Sequence, residues 1–379
     1  MHTSHKWICT LIGCISMFFI SCTQPARTAP QTDSASTQPD SVAPAKDTTQ
    51  SDTLKKDTLT FVFCGDIMMG TTFPDTALPP NDGKNLFKDC LEWTVNADLT
   101  LGNLEGTLCD GGKTDKKPGK YCYAFRTPVK YVKNLVDAGF DYVSMANNHA
   151  NDFGQEGILS TEQALSRNDI AFSGISGRKE YAVVERAGYR IGICAFGHNG
   201  YTIRHLDTAR VKGILQQLRD TEKADILIVS FHGGAEGRDK AHLPQGKETF
   251  LGEDRGDLRR FAHLCIDLGA DIVYGHGPHV PRCMELYNDR IIAYSLGNFC
   301  TPYGVSLTGI SGYAPLLEVK TTGNGTFVKG HIHSMKQVRG IGPRLDQTHA
   351  AAQLIKSLTE SDISNPGINI GNTGEITKK

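Results

Sequence analysis

Five places in the chain carry side chains that could bind a metal ion or move a proton. The densest is the segment 141–154, which reads Asp-Tyr-Val-Ser-Met-Ala-Asn-Asn-His-Ala-Asn-Asp-Phe-Gly. Carboxylate, amide and imidazole groups together suit Mn, Fe or Zn. The candidate residues, in chain order, are Asp66, Glu105, Asn148 with His149 and Asp152, His232, and His276 with His279. Their chemistry predicts a centre for one or two divalent cations.

The elements that must position these residues follow from the hydrophobic pattern. Short apolar runs predict strands at 59–63, 98–101, the first half of 141–154, 225–231 and 271–274. Segments of helical period lie at 85–96, 128–138, 155–168, 207–222 and 256–268. Strands that alternate with helices predict an α/β fold with a parallel or mixed sheet. Ligands bind at the carboxyl ends of such strands, so we expect the candidate residues to meet there.

Each of these polar residues has an ordinary explanation when it is taken alone. A single Asp or His after a strand is more often a helix cap or a satisfied core side chain than a ligand. Five strand ends that all carry ligand-type residues favour a metal site over that explanation.

Composition excludes one class of partner. The chain has 379 residues, of which 39% are hydrophobic, enough to bury a full α/β core. Its 40 basic and 41 acidic side chains give no strong positive field for collecting phosphates. We therefore expect no nucleic-acid partner.

The amino-terminal region predicts export. Residues 1–22 have a short apolar stretch that fits a secretory signal, and they end in Phe-Ile-Ser-Cys, which is similar to a bacterial lipobox. Cleavage before Cys22 and its acylation would anchor the protein at the cell envelope, on the periplasmic or outer-membrane face. An uncleaved anchor would lead to the same compartment. From composition we expect residues 23–57 to form a disordered Thr/Ser/Pro-rich linker, 58–340 the folded domain and 341–379 a tail.

The segment 110–120 contains four lysines and predicts an exposed loop. It could form a binding lip for an anionic polymer, and a solvated charged loop is the commoner explanation.

Six ordered motifs resemble a known family. They are Gly65-Asp66, Asn103-Leu104-Glu105, 147–154, His232-Gly233-Gly234, 275–279 and 295–299. Together they resemble the CapA-type poly-γ-glutamate capsule family, a branch of the calcineurin-like metallophosphatase superfamily, over roughly 59–338. The resemblance implies a metallophosphatase-like β-sandwich flanked by helices, with four αββα layers.

The resemblance also implies roles for individual residues. Asp66 and a bridging Glu105 would bind the metal together with Asn148, and His149 with Asp152 would be catalytic. The metal shell would be completed by His232, His276 and His279. Substrate-binding roles would fall to Asn103, Asn147 and Asn298.

Three departures from the metallophosphatase pattern stand out. Met68 occupies the place of the first-motif imidazole, and Glu105 replaces an aspartate. His276 and His279 are spaced by two residues rather than one. A literal Gly-His-x-His occurs at 330–333, where we interpret its histidines as cross-strand surface residues.

Three functions remain open from the sequence. The first is a metal-dependent hydrolase or transferase that makes, exports or anchors poly-γ-glutamate or a related envelope polymer. The second is a polymer-binding assembly subunit without chemistry, and the third is a periplasmic phosphoesterase. The expected partners are the anionic polymer or its precursor, the membrane through the lipid anchor, and membrane synthase subunits.

Overall fold

The computed structural model describes residues 55–116 and 123–379. The predicted signal 1–22 with Cys22, nearly all of the linker 23–57, and part of the lysine-rich loop lie outside the described residues. Among the residues that the structure does describe, no helix is both long enough and apolar enough to cross a membrane.

The described residues form twenty strands and six α-helices. The strands, β1 to β20 in chain order, are Thr58–Ile67, Leu99–Leu104, Thr107–Leu108, Arg126–Thr127, Tyr142–Ser144, Ala171–Ser173, Tyr181–Arg186, Tyr189–Phe196, Ile226–His232, Glu248–Phe250, Glu253–Gly256, Ile272–His276, Met284–Tyr287, Arg290–Ala293, Asn298–Cys300, Tyr313–Thr322, Phe327–Val338, Gly342–Leu345, Ile368–Ile370 and Glu375–Lys378. The helices, α1 to α6, are Leu91–Thr94, Val132–Asp137, Gly154–Ser166, Thr208–Gln216, Leu258–Asp267 and Ala350–Asp362.

Two mixed sheets carry the architecture. The larger has ten strands in the order β19-β20-β17-β16-β1-β2-β5-β6, with β15 on β1 and β18 on β17. The smaller has six strands in the order β13-β14-β12-β9-β8-β7. The strands that matter for the candidate site run parallel, namely β1, β2 and β5 in one sheet and β8, β9 and β12 in the other.

Three hydrophobic clusters fill the spaces between four layers. One lies between the ten-stranded sheet and the helices α1 to α3, and another lies between the six-stranded sheet and α4 and α5. The third joins the inner faces of the two sheets, where the rings of Phe63 and Tyr274 stand 4.8 Å apart. Each fully buried large apolar side chain stabilises this sandwich by about 1.5 to 3 kcal/mol. The expected αββα fold is confirmed.

One predicted helix is wrong. The segment 85–96 contains only one α-helical turn, at Leu91–Thr94. Before it the chain makes successive turns, in which the Arg344 guanidinium competes with backbone N–H groups for the carbonyl groups of Asn85 and Leu86. The Asn85 carbonyl also accepts the Lys88 N–H at 3.5 Å, a turn contact and not an α-helical one. That arginine is far away in the sequence, so local periodicity could not reveal the competition.

The segment 341–379 does more than the single amphipathic run expected of a tail. β18 and β20 both pair with β17, and β19 pairs with β20 at the edge of the ten-stranded sheet. The helix α6 buries Ala352 and Ile355 in the cluster between the sheets. These residues therefore extend the sandwich.

Candidate metal centre

The carboxyl ends of parallel strands from both sheets meet at the candidate centre. β1 carries Asp66 next to its last residue, and β2 ends one residue before Glu105. In the other sheet, β9 ends at His232 and β12 ends at His276. These two histidines are direct neighbours in the parallel ladder.

Gly65 lets β1 approach the segment before β15 very closely. A Cβ atom at this position would lie 1.8 Å from the carbonyl oxygen of Gly297. The Asp66 N–H donates to that carbonyl at 2.9 Å, and the β1–β2 register shifts between Phe63 and Asp66. This irregular strand end brings Asp66 within reach of residues that follow β12.

Asp66, Glu105 and His279 form a compact cluster. One potential ligand atom from each lies within 4.8 Å of the other two. His279 Nδ1 is 3.0 Å from Asp66 Oδ2, and His279 Nε2 is 3.7 Å from Glu105 Oε1. The turn that carries His279 needs Gly277, which has φ 119° and packs where a Cβ would lie 2.5 Å from the Gly233 carbonyl oxygen.

Burial and charge work against each other in this cluster. Burial opposes ionisation of Asp66, but the hydrogen bond with His279 and the charges of His279 and His276 hold its pKa below the usual value. Burial, and then the negative charge of Asp66, raise the pKa of Glu105 well above its ordinary value. Burial opposes charge on His279 as well, yet Glu105 and Asp66 outweigh it and raise the pKa of His279 to about 10. The two acidic side chains thus strongly stabilise a positive charge within this cluster.

His232 and His276 present ring nitrogens that have no partner. Both side chains are fully buried, and their ring centroids are 5.7 Å apart. Neither nitrogen of His232 is hydrogen-bonded, nor is His276 Nδ1, while His276 Nε2 is 3.1 Å from Ser230 Oγ. Burial lowers the pKa of His276 to about 4, and burial with the neighbouring His276 lowers that of His232 well below its usual range. Both are therefore neutral imidazoles at pH 7, the form that binds metals.

These residues fit a divalent cation. Buried polar atoms are nearly always hydrogen-bonded, so a concentration of unpartnered ones needs an explanation. Glu105 Oε1 and Asn148 Oδ1 are buried without a hydrogen-bond partner, as are the three imidazole nitrogens above. Carboxylate, amide and imidazole atoms of this kind match Mn, Fe or Zn. Among the described residues, however, only Asp66, Glu105 and His279 converge within 4.8 Å, so His232 and His276 flank the cluster.

His149 and Asp152 form the expected pair. His149 Nδ1 is 2.8 Å from Asp152 Oδ2, which also accepts the Phe125 N–H at 2.6 Å. Lys116 forms an ion pair with the other oxygen of Asp152. Burial lowers the pKa of His149, although the charge of Asp152 opposes this shift. With Nδ1 engaged, Nε2 is the ring nitrogen left for chemistry.

Three asparagines that were expected to contact substrate occupy a different place. All are fully buried. The Asn103 amide donates to Asp66 Oδ1 at 2.8 Å, and Asn147 donates to Asn103 Oδ1 at 2.9 Å. Asn298 donates to the His279 carbonyl at 3.1 Å, and its Oδ1 lies 3.0 Å from His279 Nδ1. Because their polar atoms are engaged inside the protein, they orient the cluster instead of lining the cleft.

Met68 cannot substitute for the imidazole of the metallophosphatase pattern. Its side chain is buried, and its Sδ accepts the Gly70 N–H at 3.3 Å.

The histidines of the 330–333 motif do not join the cluster either. His333 lies 3.0 Å from Glu318 and its ring stacks on Trp93 at 4.2 Å.

The sequence did not single out several residues that border the site. A cleft of about 410 Å³ is lined by Asn148 and His149, and also by Glu236 and Arg255. Glu236 lies in the polar loop after β9, which is a signal for a site but not for a particular residue, and Arg255 lies in β11. His198 is the second residue after β8, and its ring lies 5.7 Å from that of His232. Its place after a strand was the same signal that identified the other ligand candidates.

The fold and site define a class: an α/β sandwich with a buried cluster of acidic, amide and imidazole side chains at the strand ends. The family model described as "Bacterial capsule synthesis protein PGA_cap" matches residues 60–303. The chain belongs to this family.

Two curated relatives have similar sequences. The capsule biosynthesis protein CapA of Bacillus anthracis is 28% identical, over 72% of this chain and 66% of that protein. The PGA biosynthesis protein CapA of Bacillus subtilis (strain 168) is 28% identical, over 73% of this chain and 71% of that protein. The chain thus spans about two thirds of the length of the B. anthracis relative.

Among solved structures, the chain is similar to a putative 5'-nucleotidase from Staphylococcus aureus. The identity is 14% and the TM-score is 0.44, over 80% of this chain and 58% of that chain.

Proposed function

We propose that this protein acts in the biosynthesis, export or anchoring of poly-γ-glutamate or a related anionic envelope polymer, as a metal-dependent hydrolase or transferase. Membership of the capsule synthesis family supports a role in the biosynthesis of such a polymer. The observation that carries the chemistry is the convergence of Asp66, Glu105 and His279 beside buried polar atoms that lack partners.

The residues that would hold the ion are Asp66, Glu105, Asn148, His232, His276 and His279. A bound divalent cation would supply Lewis acidity to the reacting group and to the attacking nucleophile. The buried asparagines keep the cluster in place, because their amides hold the Asp66 carboxylate and the segment that carries His279.

His149 moves a proton at Nε2 during the reaction. Asp152 accepts a hydrogen bond from His149 Nδ1–H and therefore fixes the tautomer and the direction of the ring. Lys116 balances the charge of the buried Asp152 carboxylate from the cleft side. Proton transfer by a positioned side chain contributes typically 10²- to 10⁴-fold to the rate.

The proposed location is the outside of the cell membrane. Acylated Cys22 would anchor the chain, and the linker 23–57 would give the folded domain an r.m.s. reach of roughly 30 Å. From there the centre would act on the growing or exported polymer, together with membrane synthase subunits.

A second candidate is a polymer-binding subunit that does no chemistry. Met68 favours it, because the sulfur atom stands where the metallophosphatase pattern has an imidazole and is turned to a backbone N–H. In this case the exposed Lys113 would contribute to polymer binding.

Metal content of the full-length protein, measured after repletion with Mn, Fe or Zn, is the first test. We expect about one or two tightly held ions per chain. They should be lost in His279→Ala and kept in the matched control His333→Ala. A wild-type protein without metal above background would refute the hydrolase.

Turnover is the second test. With γ-glutamyl peptides and phosphoesters as substrates, His149→Ala should lower kcat by roughly 10²- to 10⁴-fold without loss of metal. Polymer binding that weakens in Lys113→Ala, combined with no turnover in the metal-loaded wild type, would favour the second candidate.

A further inference from the structure

Glu236, in the loop after β9, directs a carboxylate oxygen at the metal-type cluster. Its Oε2 is 3.8 Å from His279 Nε2, the same nitrogen that lies 3.7 Å from Glu105 Oε1. Both distances are too long for a hydrogen bond. One N–H can donate well to only one acceptor, so two carboxylates face one nitrogen and neither is satisfied by it.

Arg255 fixes the orientation of Glu236. The arginine side chain is only 4% exposed, and its Nη1 is 2.8 Å from Glu236 Oε1. This ion pair engages Oε1 and leaves Oε2 directed toward His279. Arg255 also contacts Glu253 at 3.0 Å, and that second carboxylate is 52% exposed and forms no ion pair with His279.

The backbone around Glu236 is pinned on both sides. The Gly237 N–H donates to the Pro278 carbonyl at 3.2 Å, which ties the loop to the turn that carries His279. The Ala235 N–H donates to Glu248 at 2.9 Å, and Glu248 in turn forms a buried ion pair with Arg282. Glu236 is therefore preorganised by its neighbours, unlike a surface glutamate that samples many rotamers.

A salt bridge with Arg255 explains the position of Glu236 Oε1, but it does not explain why Oε2 faces His279. Placing a third carboxylate beside Asp66 and Glu105 in a mostly buried site adds like-charge repulsion. A divalent cation at the cluster converts this repulsion into attraction. The first-motif position cannot supply that ligand, because Met68 holds its sulfur atom against a backbone N–H.

We propose that Glu236 is a further carboxylate ligand of the metal centre, oriented by Arg255, in a shell that the first motif leaves short of one imidazole. This inference rests on the proposed function, since it needs the metal centre. It assigns to the loop after β9 a direct part in metal binding.

Titration of the purified full-length protein with Co²⁺, followed by visible absorption, tests the inference. We expect Glu236→Gln to weaken Co²⁺ binding at least tenfold and to change the absorption bands, because a ligand is lost. Glu236→Asp keeps a charge for Arg255 but shortens the side chain, so it should weaken binding as well. The matched control Glu253→Gln alters the other partner of Arg255 and should bind within twofold of the wild type.

Two outcomes would overturn the inference. One is Co²⁺ affinity in Glu236→Gln within twofold of the wild type. The other is weaker binding with unchanged absorption bands, since this would assign Glu236 to positioning rather than ligation. A wild type that binds no Co²⁺ would instead refute the metal centre itself, so the two failures are distinguishable.

Discussion

Replacing Glu248 by Gln should destabilise the protein strongly, because the change leaves a buried guanidinium without its counter-ion. Arg282 has no exposed side-chain surface, and its two terminal nitrogens each lie 2.8 Å from one oxygen of Glu248. Its Nε donates to the Lys240 carbonyl at 2.9 Å, so the arginine cannot turn outward without breaking a third contact. Removing one partner of a buried ion pair costs about 3 to 5 kcal/mol.

The expected fall in melting temperature follows from the size of the domain. An unfolding entropy of about 2.1 cal/mol/K per residue gives ~0.7 kcal/mol/K for the roughly 320 residues that the structure describes. A loss of about 3 to 5 kcal/mol therefore lowers Tm by ~4 to 7 °C, measurable by calorimetry of the full-length protein. The loop that carries Glu236 should loosen too, since Glu248 also accepts the Ala235 N–H.

Two further variants make this prediction sharp. Glu253→Gln removes a carboxylate whose side chain is 52% exposed, and pairs of this kind contribute about 1 kcal/mol or less, so Tm should change by ~1 °C. The double variant Glu248→Leu with Arg282→Met replaces the buried pair by apolar side chains and should recover most of the loss. A Glu248→Gln protein that melts no lower than Glu253→Gln would show that the buried ion pair does not contribute this stability.

Three other predictions concern catalysis and stability. Asp152→Asn should lower kcat roughly as much as His149→Ala while metal content is kept, because the His149 tautomer is no longer fixed; unchanged kcat would exclude the pair from proton transfer. Gly65→Ala should lower the free energy of unfolding by about 3 kcal/mol or more, since its Cβ would lie 1.8 Å from the Gly297 oxygen. Gly213→Ala in α4, where a Cβ would meet nothing within 4 Å, should instead raise it by about 0.5 to 1 kcal/mol. Equal thermal shifts in the two variants would contradict this prediction. Burial opposes ionisation of Asp346, but hydrogen bonds from Thr348, Ala350 and Lys336 lower its pKa to about 2. The ionised carboxylate therefore contributes about 2 kcal/mol to the free energy of unfolding above pH 4, and this contribution is lost as the pH falls toward 2. The Tm difference between the wild type and Asp346→Asn should therefore shrink over this pH range, and a constant difference would contradict the assignment.

The sequence predicted the strand ends well because each one is a local pattern. An apolar run followed by Asp66, His232 or His276 depends on a few neighbouring residues, and these runs became β1, β9 and β12. The αββα layers followed from the resemblance that these motifs carry, and the structure confirms them.

Long-range contacts decided what the sequence missed. The Arg344 guanidinium donates hydrogen bonds to the Asn85 and Leu86 carbonyl groups, which would accept backbone N–H groups in a helix over 85–96. Asn103 and Asn147 have the residue type of a substrate contact, yet their neighbours across the sheet engage both amides. Glu236 became notable only when the Gly237–Pro278 contact joined its loop to the turn of His279. Each of these depends on residues brought together by folding.

The two sheets contribute opposite kinds of side chain to the centre. The ten-stranded sheet supplies carboxylates, Asp66 and Glu105, and the six-stranded sheet supplies the imidazoles of His232 and His276, followed by His279 in the next turn. Burial makes charge costly on both sides, since it raises the pKa of Glu105 and lowers that of His232. A divalent cation between the two sets of side chains would favour the ionised form of Glu105 and the neutral form of His232, because a cation stabilises carboxylates and accepts the lone pairs of neutral imidazoles. The same ion would join Asp66 to His279, 213 residues apart in the chain, so metal binding and the closeness of the two sheets should support each other.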